Sequence, residues 1–105
     1  MISVTHFAAA DDGFAERARA ALEALAARPG YLRGTVGRST DDTERWVLIT
    51  EWHNVGSYRR ALGNYEVKLH ATPLLADALD LPSAFEPLIE IAPGGVAVLK
   101  QSDRS

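Results

Sequence analysis

The chain has 105 residues, the length of one domain. Its balance of 11 Lys+Arg against 14 Asp+Glu gives a net charge of -3, with no basic run, and argues against a DNA or RNA partner. There is no cysteine, which excludes disulfides, thiolate catalysis, thiolate zinc sites and iron–sulfur clusters, and fits a reducing cytoplasm.

The first residues, Met1-Ile2-Ser3-Val4-Thr5-His6-Phe7, are β-branched and aromatic and predict a short strand over 2–7. They lack the basic start and long apolar stretch of a signal peptide, and no later run is long enough to span a bilayer. Asp11 and Asp12 stand as candidate N-caps of the helix that follows. In it Phe14, Ala18, Ala21, Leu22 and Leu25 recur at helical spacing, with charged residues on the other side. Arg28-Pro29-Gly30 ends that helix.

Residues 31–39 predict a second strand and 44–52 a third, joined by the turn Thr40-Asp41-Asp42-Thr43. So short a connection makes the pair an antiparallel hairpin. Asn54 is placed to cap a helix over 56–62, which breaks at Gly63-Asn64. A second helical piece is expected from Tyr65 to about Leu79, kinked or restarted at Pro73 with Thr72 as cap. Residues 83–91 read as the last strand, Pro93-Gly94-Gly95 as a turn, 96–99 as a terminal strand or arm, and 101–105 as a disordered tail. This divides the chain into a domain over 1–92 and an arm and tail over 93–105.

The order β-α-β-β-α-β predicts an α+β, ferredoxin-like fold, a four-stranded antiparallel sheet with helices on one face. Alternation along the third strand puts Trp46, Leu48, Thr50 and Trp52 on one side, and Val47, Ile49 and Glu51 on the other. Both faces are largely apolar, while one chain supplies helices for one face only. A second copy of the sheet is the simplest cover for the other, so a symmetric homodimer is expected.

The ordered set Arg28-Pro29-Gly30-Tyr31-Leu32, an acidic turn, Trp46-Val47-Leu48-Ile49-Thr50-Glu51-Trp52, Tyr58 and then His70 resembles the antibiotic biosynthesis monooxygenase family over about residues 2–91. The resemblance implies a dimeric α/β barrel, often with exchanged C-terminal segments, and a pocket between sheet and helices. One branch looks like cofactor-independent anthrone or quinol monooxygenases. Their strand-three Trp falls on Trp52 and their helix Tyr on Tyr58, while Leu48 stands where that branch has Asn. Another branch degrades heme. Its iron-ligating His falls on His70, but its Asn position falls on Thr5 (or on His6 with the register slipped) and its Trp position on Ala61.

The residues themselves suit phenol chemistry. Trp52 offers an indole N–H and an apolar face, Tyr58 a phenol, and His70 is the candidate base because an imidazole titrates near neutrality. The expectation is a cofactor-free, metal-free monooxygenase that oxidises a small aromatic phenol, quinol or anthrone with O2. Trp52, Tyr58 and His70 are its candidate catalytic residues, and Leu48, Trp52 and Tyr58 its substrate contacts. A non-catalytic dimer holding an apolar ligand, and heme binding through His70, are the alternatives. Core packing is the plain reading of Trp46, and also of Trp52 and Tyr58. Tyr65 reads as a helix-face or lid residue, and Arg59-Arg60 as a solvated face. Arg33 and Arg38 either edge the sheet or meet a carboxylated ligand. His6 and His53 form no close-spaced metal pair. Asp11-Asp12 and Asp41-Asp42 lie in turns, so their carboxylates read as caps. Phosphate loops, dinucleotide fingerprints and nucleophile elbows are missing from the sequence.

Overall fold

A computed structural model describes residues 1–101. The expected tail lies, from residue 102 onward, outside the described residues.

Seven residues of strong β propensity form β1 (Ile2–Ala8), and the chain then turns into α1 (Phe14–Ala26). Neither Asp11 nor Asp12 caps this helix. Gly13 holds the N-cap position with no side-chain bond, and the Asp11 carboxylate instead pairs with Arg17 at 2.8 Å. That guanidinium holds the Asp11 carboxyl below its ordinary range. Phe14, Ala18, Ala21 and Leu25 are buried, as their spacing requires.

The hairpin of β2 (Tyr31–Arg38) and β3 (Arg45–Trp52) forms as expected. Ser39 Oγ accepts from the N–H groups of Asp41 and Asp42, and Asp42 Oδ1 accepts from Glu44 N–H, which satisfies the turn locally. Next, Asn54 caps α2 (Val55–Leu62), its Oδ1 accepting from Ser57 N–H at 2.8 Å. Asn64 repeats the device for α3 (Tyr65–His70).

The second helical piece is shorter than the sequence suggests. It restarts as α4 (Thr72–Leu75) and stops there, with Thr72 inside the helix rather than capping it. By residue 79 the chain has left the helix and runs beside β1, where Leu79 N–H donates to His6 C=O and Val4 N–H to Ser83 C=O.

The single strand expected over 83–91 is broken. Only β4 (Ala84–Phe85) joins the main sheet, pairing with Ile2 and Ser3. Pro87 brings no N–H to a ladder. Beyond it, β5 (Ile89–Glu90) pairs with β6 (Val98–Leu99) in a separate hairpin.

The main sheet is four-stranded and antiparallel in the order β2-β3-β1-β4. Its helix-facing side buries Phe7, Leu48 and Trp52 against Ala18, Ala21, Leu25, Ala61, Val67 and Leu74. Trp46, half-buried, packs against Phe14 at a ring distance of 5.0 Å, and Arg38 lies over its ring at 5.5 Å. On the opposite side Ile2, Val4, His6, Val47 and Ile49 remain half-buried, as the alternation requires. No helix among the described residues is long and apolar enough to cross a membrane.

Candidate functional site

Polar residues interrupt the buried side of the sheet. Pleat parity and the antiparallel register set Ser3 of β1 opposite Thr50 of β3, and Thr50 opposite Gly34 of β2. Ser3, Thr50 and, one pleat on, Thr5 are all buried. A hydroxyl taken from water without a partner costs about 1–3 kcal/mol, so such groups need bonds. Thr50 Oγ1 accepts from Trp52 Nε1–H at 2.8 Å, and Ser3 Oγ donates to the Tyr58 hydroxyl at 3.4 Å.

Trp52 lies between two tyrosines. Tyr31 meets it edge-on with ring centroids 5.5 Å apart, and Tyr58 of α2 leans against it at 5.7 Å. Gly34 makes room for this arrangement. A Cβ there would stand 2.5 Å from both Tyr31 Oη and Leu22 Cδ1. The Tyr31 hydroxyl thus sits over Gly34, at one end of the row that runs on through Thr50 to Ser3. Burial pushes the Tyr31 phenol above its ordinary pKa.

Trp52 and Tyr58 are therefore brought together. Trp52 is 1% exposed and its indole N–H is occupied by Thr50, so Tyr58, half-buried, is the more accessible of the two. Leu48 lies on the same side about 13 Å along the strand from Trp52, opposite Thr5 and Val36, and contributes only methyl groups.

His70 is not part of this group. It is exposed at the end of α3, with Nε2 3.5 Å from Glu66 Oε2. It lines an open groove of about 330 Å³ between α1 and α3, with a floor of Ala20, Ala24 and Ala27. Glu23, Glu66 and Arg28 rim that groove, and no large apolar side chain walls it. The alanine floor of this groove gives a heme no apolar wall; His70 also borders a second groove of about 320 Å³ that is lined by Leu69, Pro73 and Leu74 with Arg17 and Asp77. The other sequence candidates also lie apart. Tyr65 is 72% exposed, and Arg59 and Arg60 face solvent. Arg33 is ion-paired with Glu51 on the outward side. No group of three His, Asp or Glu residues suited to a metal ion occurs among the described residues.

Sequence reasoning left out Ser3 and Tyr31. Thr50 was visible as the residue between Leu48 and Trp52 on one side of a strand. Ser3 was not, because its place beside Thr50 depends on the register between strands far apart in sequence. Tyr31 needed the glycine opposite Thr50 to be recognised as space for a phenol.

These features define a ferredoxin-like α+β domain with an aromatic and hydroxyl-bearing patch between sheet and helices. The chain belongs to the antibiotic biosynthesis monooxygenase family, whose model matches residues 1–71. Solved structures share the fold. SnoaB from Streptomyces nogalater, described as a cofactor-independent oxygenase, is 24% identical with a TM-score of 0.65, covering 99% of this chain and 93% of its own. A conserved protein from Methanosarcina mazei is 19% identical with a TM-score of 0.63, covering 79% and 84%. PA3566 from Pseudomonas aeruginosa is 14% identical with a TM-score of 0.62, covering 82% and 92%. No curated protein matches the chain.

Proposed function

We propose that the protein is a cofactor-independent monooxygenase that oxidises a small aromatic phenol, quinol or anthrone with O2. The observation that carries this reading is the Tyr58 hydroxyl, half-buried, backed by Trp52 and set beside the hydroxyls of a buried sheet face. Family membership supports the reaction class, and SnoaB's description supports the lack of a cofactor.

Without a metal or flavin, the substrate itself must reduce O2. Loss of a proton gives an electron-rich enolate or phenolate. It passes one electron to O2, and the two radicals combine to form a carbon–oxygen bond. The resulting peroxide anion takes a proton from solvent, and the hydroperoxide then loses its remaining C–H proton as the O–O bond breaks and water leaves. One oxygen atom ends as the new ring carbonyl and the other as water. The protein's part is to orient the ring and stabilise its oxyanion. Tyr58 donates to that oxygen, and Trp52 fixes the Tyr58 ring from behind. Leu48 lengthens the apolar side of the site. His70 takes no part in this scheme, because it is exposed at a groove between α1 and α3 away from Tyr58, and the substrate proton passes to solvent.

The same reading includes a homodimer. A second copy covers the outward sheet side formed by Ile2, Val4, Val47 and Ile49, to which β4 adds Phe85, 46% exposed.

Oxygen uptake by metal-free protein, with a chelator present, tests the chemistry across anthrones, naphthols and quinols. Turnover well above autoxidation is expected, and Tyr58→Phe should lower it about 100-fold if the phenol is the principal oxyanion donor. Turnover unaffected by Tyr58→Phe would remove the site assignment. Binding of the same panel without turnover would leave a ligand-binding dimer in its place.

A further inference from the structure

Ser3 has no role in the scheme above, yet it occupies a costly position. It lies opposite Thr50, between the rows of Leu48 and Trp52 on the buried side of the sheet, where a serine gains nothing from burial unless its hydroxyl is used. That hydroxyl donates to Tyr58 at 3.4 Å, long for a pair of hydroxyls and short enough to tighten when a ligand draws on Tyr58.

Proton counting gives the consequence. A phenol has one proton and two lone pairs. Where Ser3 donates into a lone pair, the Tyr58 proton is free to go elsewhere, and the incoming bond polarises the O–H and makes it the better donor. Two neighbours offer a ligand no free donor. The Trp52 N–H is committed to Thr50, and Leu48 has no polar atom.

We infer that Ser3 is a positioning residue that turns the Tyr58 proton toward a ligand oxygen, so that the site selects a ring bearing a hydroxyl over an apolar ring of the same shape. The inference rests on the proposed phenol site and adds the device that sets its selectivity.

The test measures NMR titrations with 1-naphthol and 1-methylnaphthalene, which differ by a hydroxyl in place of a methyl group. The parent protein should prefer 1-naphthol by about fivefold, the worth of one neutral hydrogen bond. Ser3→Ala should bring that ratio close to one while leaving 1-methylnaphthalene affinity within about twofold. Tyr58→Phe should abolish the preference, and adding Ser3→Ala to it should change nothing further. Should Ser3→Ala not fold, Ser3→Cys keeps the volume with a weaker donor and reads the same ratio. A parent preference that survives in Ser3→Ala overturns the inference. So does equal weakening of both probes, which would be a structural effect. Equal binding of both probes by the parent also overturns it and leaves the phenol site standing as an apolar one. A parent that binds neither probe refutes the functional reading, and the inference with it.

Discussion

Replacing Gly30 by alanine separates two costs that the structure makes legible. Gly30 has φ 88°, and a Cβ there would stand 2.4 Å from Ser57 Oγ and 2.5 Å from Ser57 Cβ. Ser57 cannot move aside easily. It is buried, and its N–H and hydroxyl are both held by Asn54 Oδ1 at the start of α2, one turn before Tyr58. The left-handed backbone costs an alanine about 1–2 kcal/mol, of which about 0.4–1 returns through the stiffer unfolded chain. Overpacking against Ser57 adds about 1–3 kcal/mol. Gly30→Ala should therefore lose about 2–4 kcal/mol, or about 10–20 °C in Tm for a domain of this size. Gly94 is the control. It also has positive φ, at 68°, but nothing lies within 4 Å of its Cβ position, so Gly94→Ala should cost no more than about 1.6 kcal/mol. Urea denaturation followed by circular dichroism measures both. If the two variants agree within about 1 kcal/mol, the close approach of Gly30 to α2 is not what fixes that glycine.

Asn54→Ala should cost about 1 kcal/mol by removing the α2 cap, seen as a lower urea midpoint with unchanged slope. Phe7→Ala, at a position 1% exposed, should cost about 3–5 kcal/mol, whereas Val96→Ala, at 83% exposed, should stay within about 0.5 kcal/mol in the isolated chain. Asp11 and Glu16 have carboxyls held below their ordinary values of 3.8 and 4.5 by hydrogen bonds from Arg17 and Arg19. A depressed folded pKa adds stability above the unfolded value, and that stability is lost as pH falls through the folded one. Carboxyl carbon NMR should find both midpoints below those values, moving back up with added salt because both groups are exposed. Ile49→Lys on the outward sheet side should convert a dimer to a monomer by light scattering, with melting otherwise near that of the parent monomer. A parent that is already monomeric would refute the sheet-covering argument.

The first half of the fold was legible because each boundary has a local cause. The hydrophobic period of α1, the Arg28-Pro29-Gly30 stop, the acidic turn and the Asn54 cap all act within a few residues. The misreadings share a different cause. Asp11 is a good N-cap by type, but Arg17 lies within reach of its carboxylate, and the ion pair takes the oxygen the helix would have used. Leu79 fits a helical pattern, yet its N–H goes to His6 across the edge of β1. The candidate site divides the same way. Trp52 and Tyr58 were visible through spacing and resemblance. Ser3 required the register of β1 on β3, a long-range pairing that no local pattern encodes.

The broken last strand carries the argument for a partner further than the sheet alone. A two-stranded hairpin in water is marginal at best. The β5–β6 hairpin nevertheless carries Ile89 at 63% and Leu99 at 77% exposure, apolar side chains that a lone hairpin leaves in water. Pro87 detaches it from the main sheet, so the edge of β1 beyond Ser3 and Ile2 cannot satisfy it. The same chain leaves Val47 and Ile49 half-buried on the outward sheet side and Phe85 exposed next to where the hairpin departs. In the proposed dimer one two-fold operation would close both apolar surfaces, each hairpin reaching across to the other copy's sheet. On that account truncation after Ala92 should weaken the dimer without unfolding the domain. Light scattering and melting on the truncated chain decide it: a dimer of unchanged affinity would leave the exposed hairpin without this explanation.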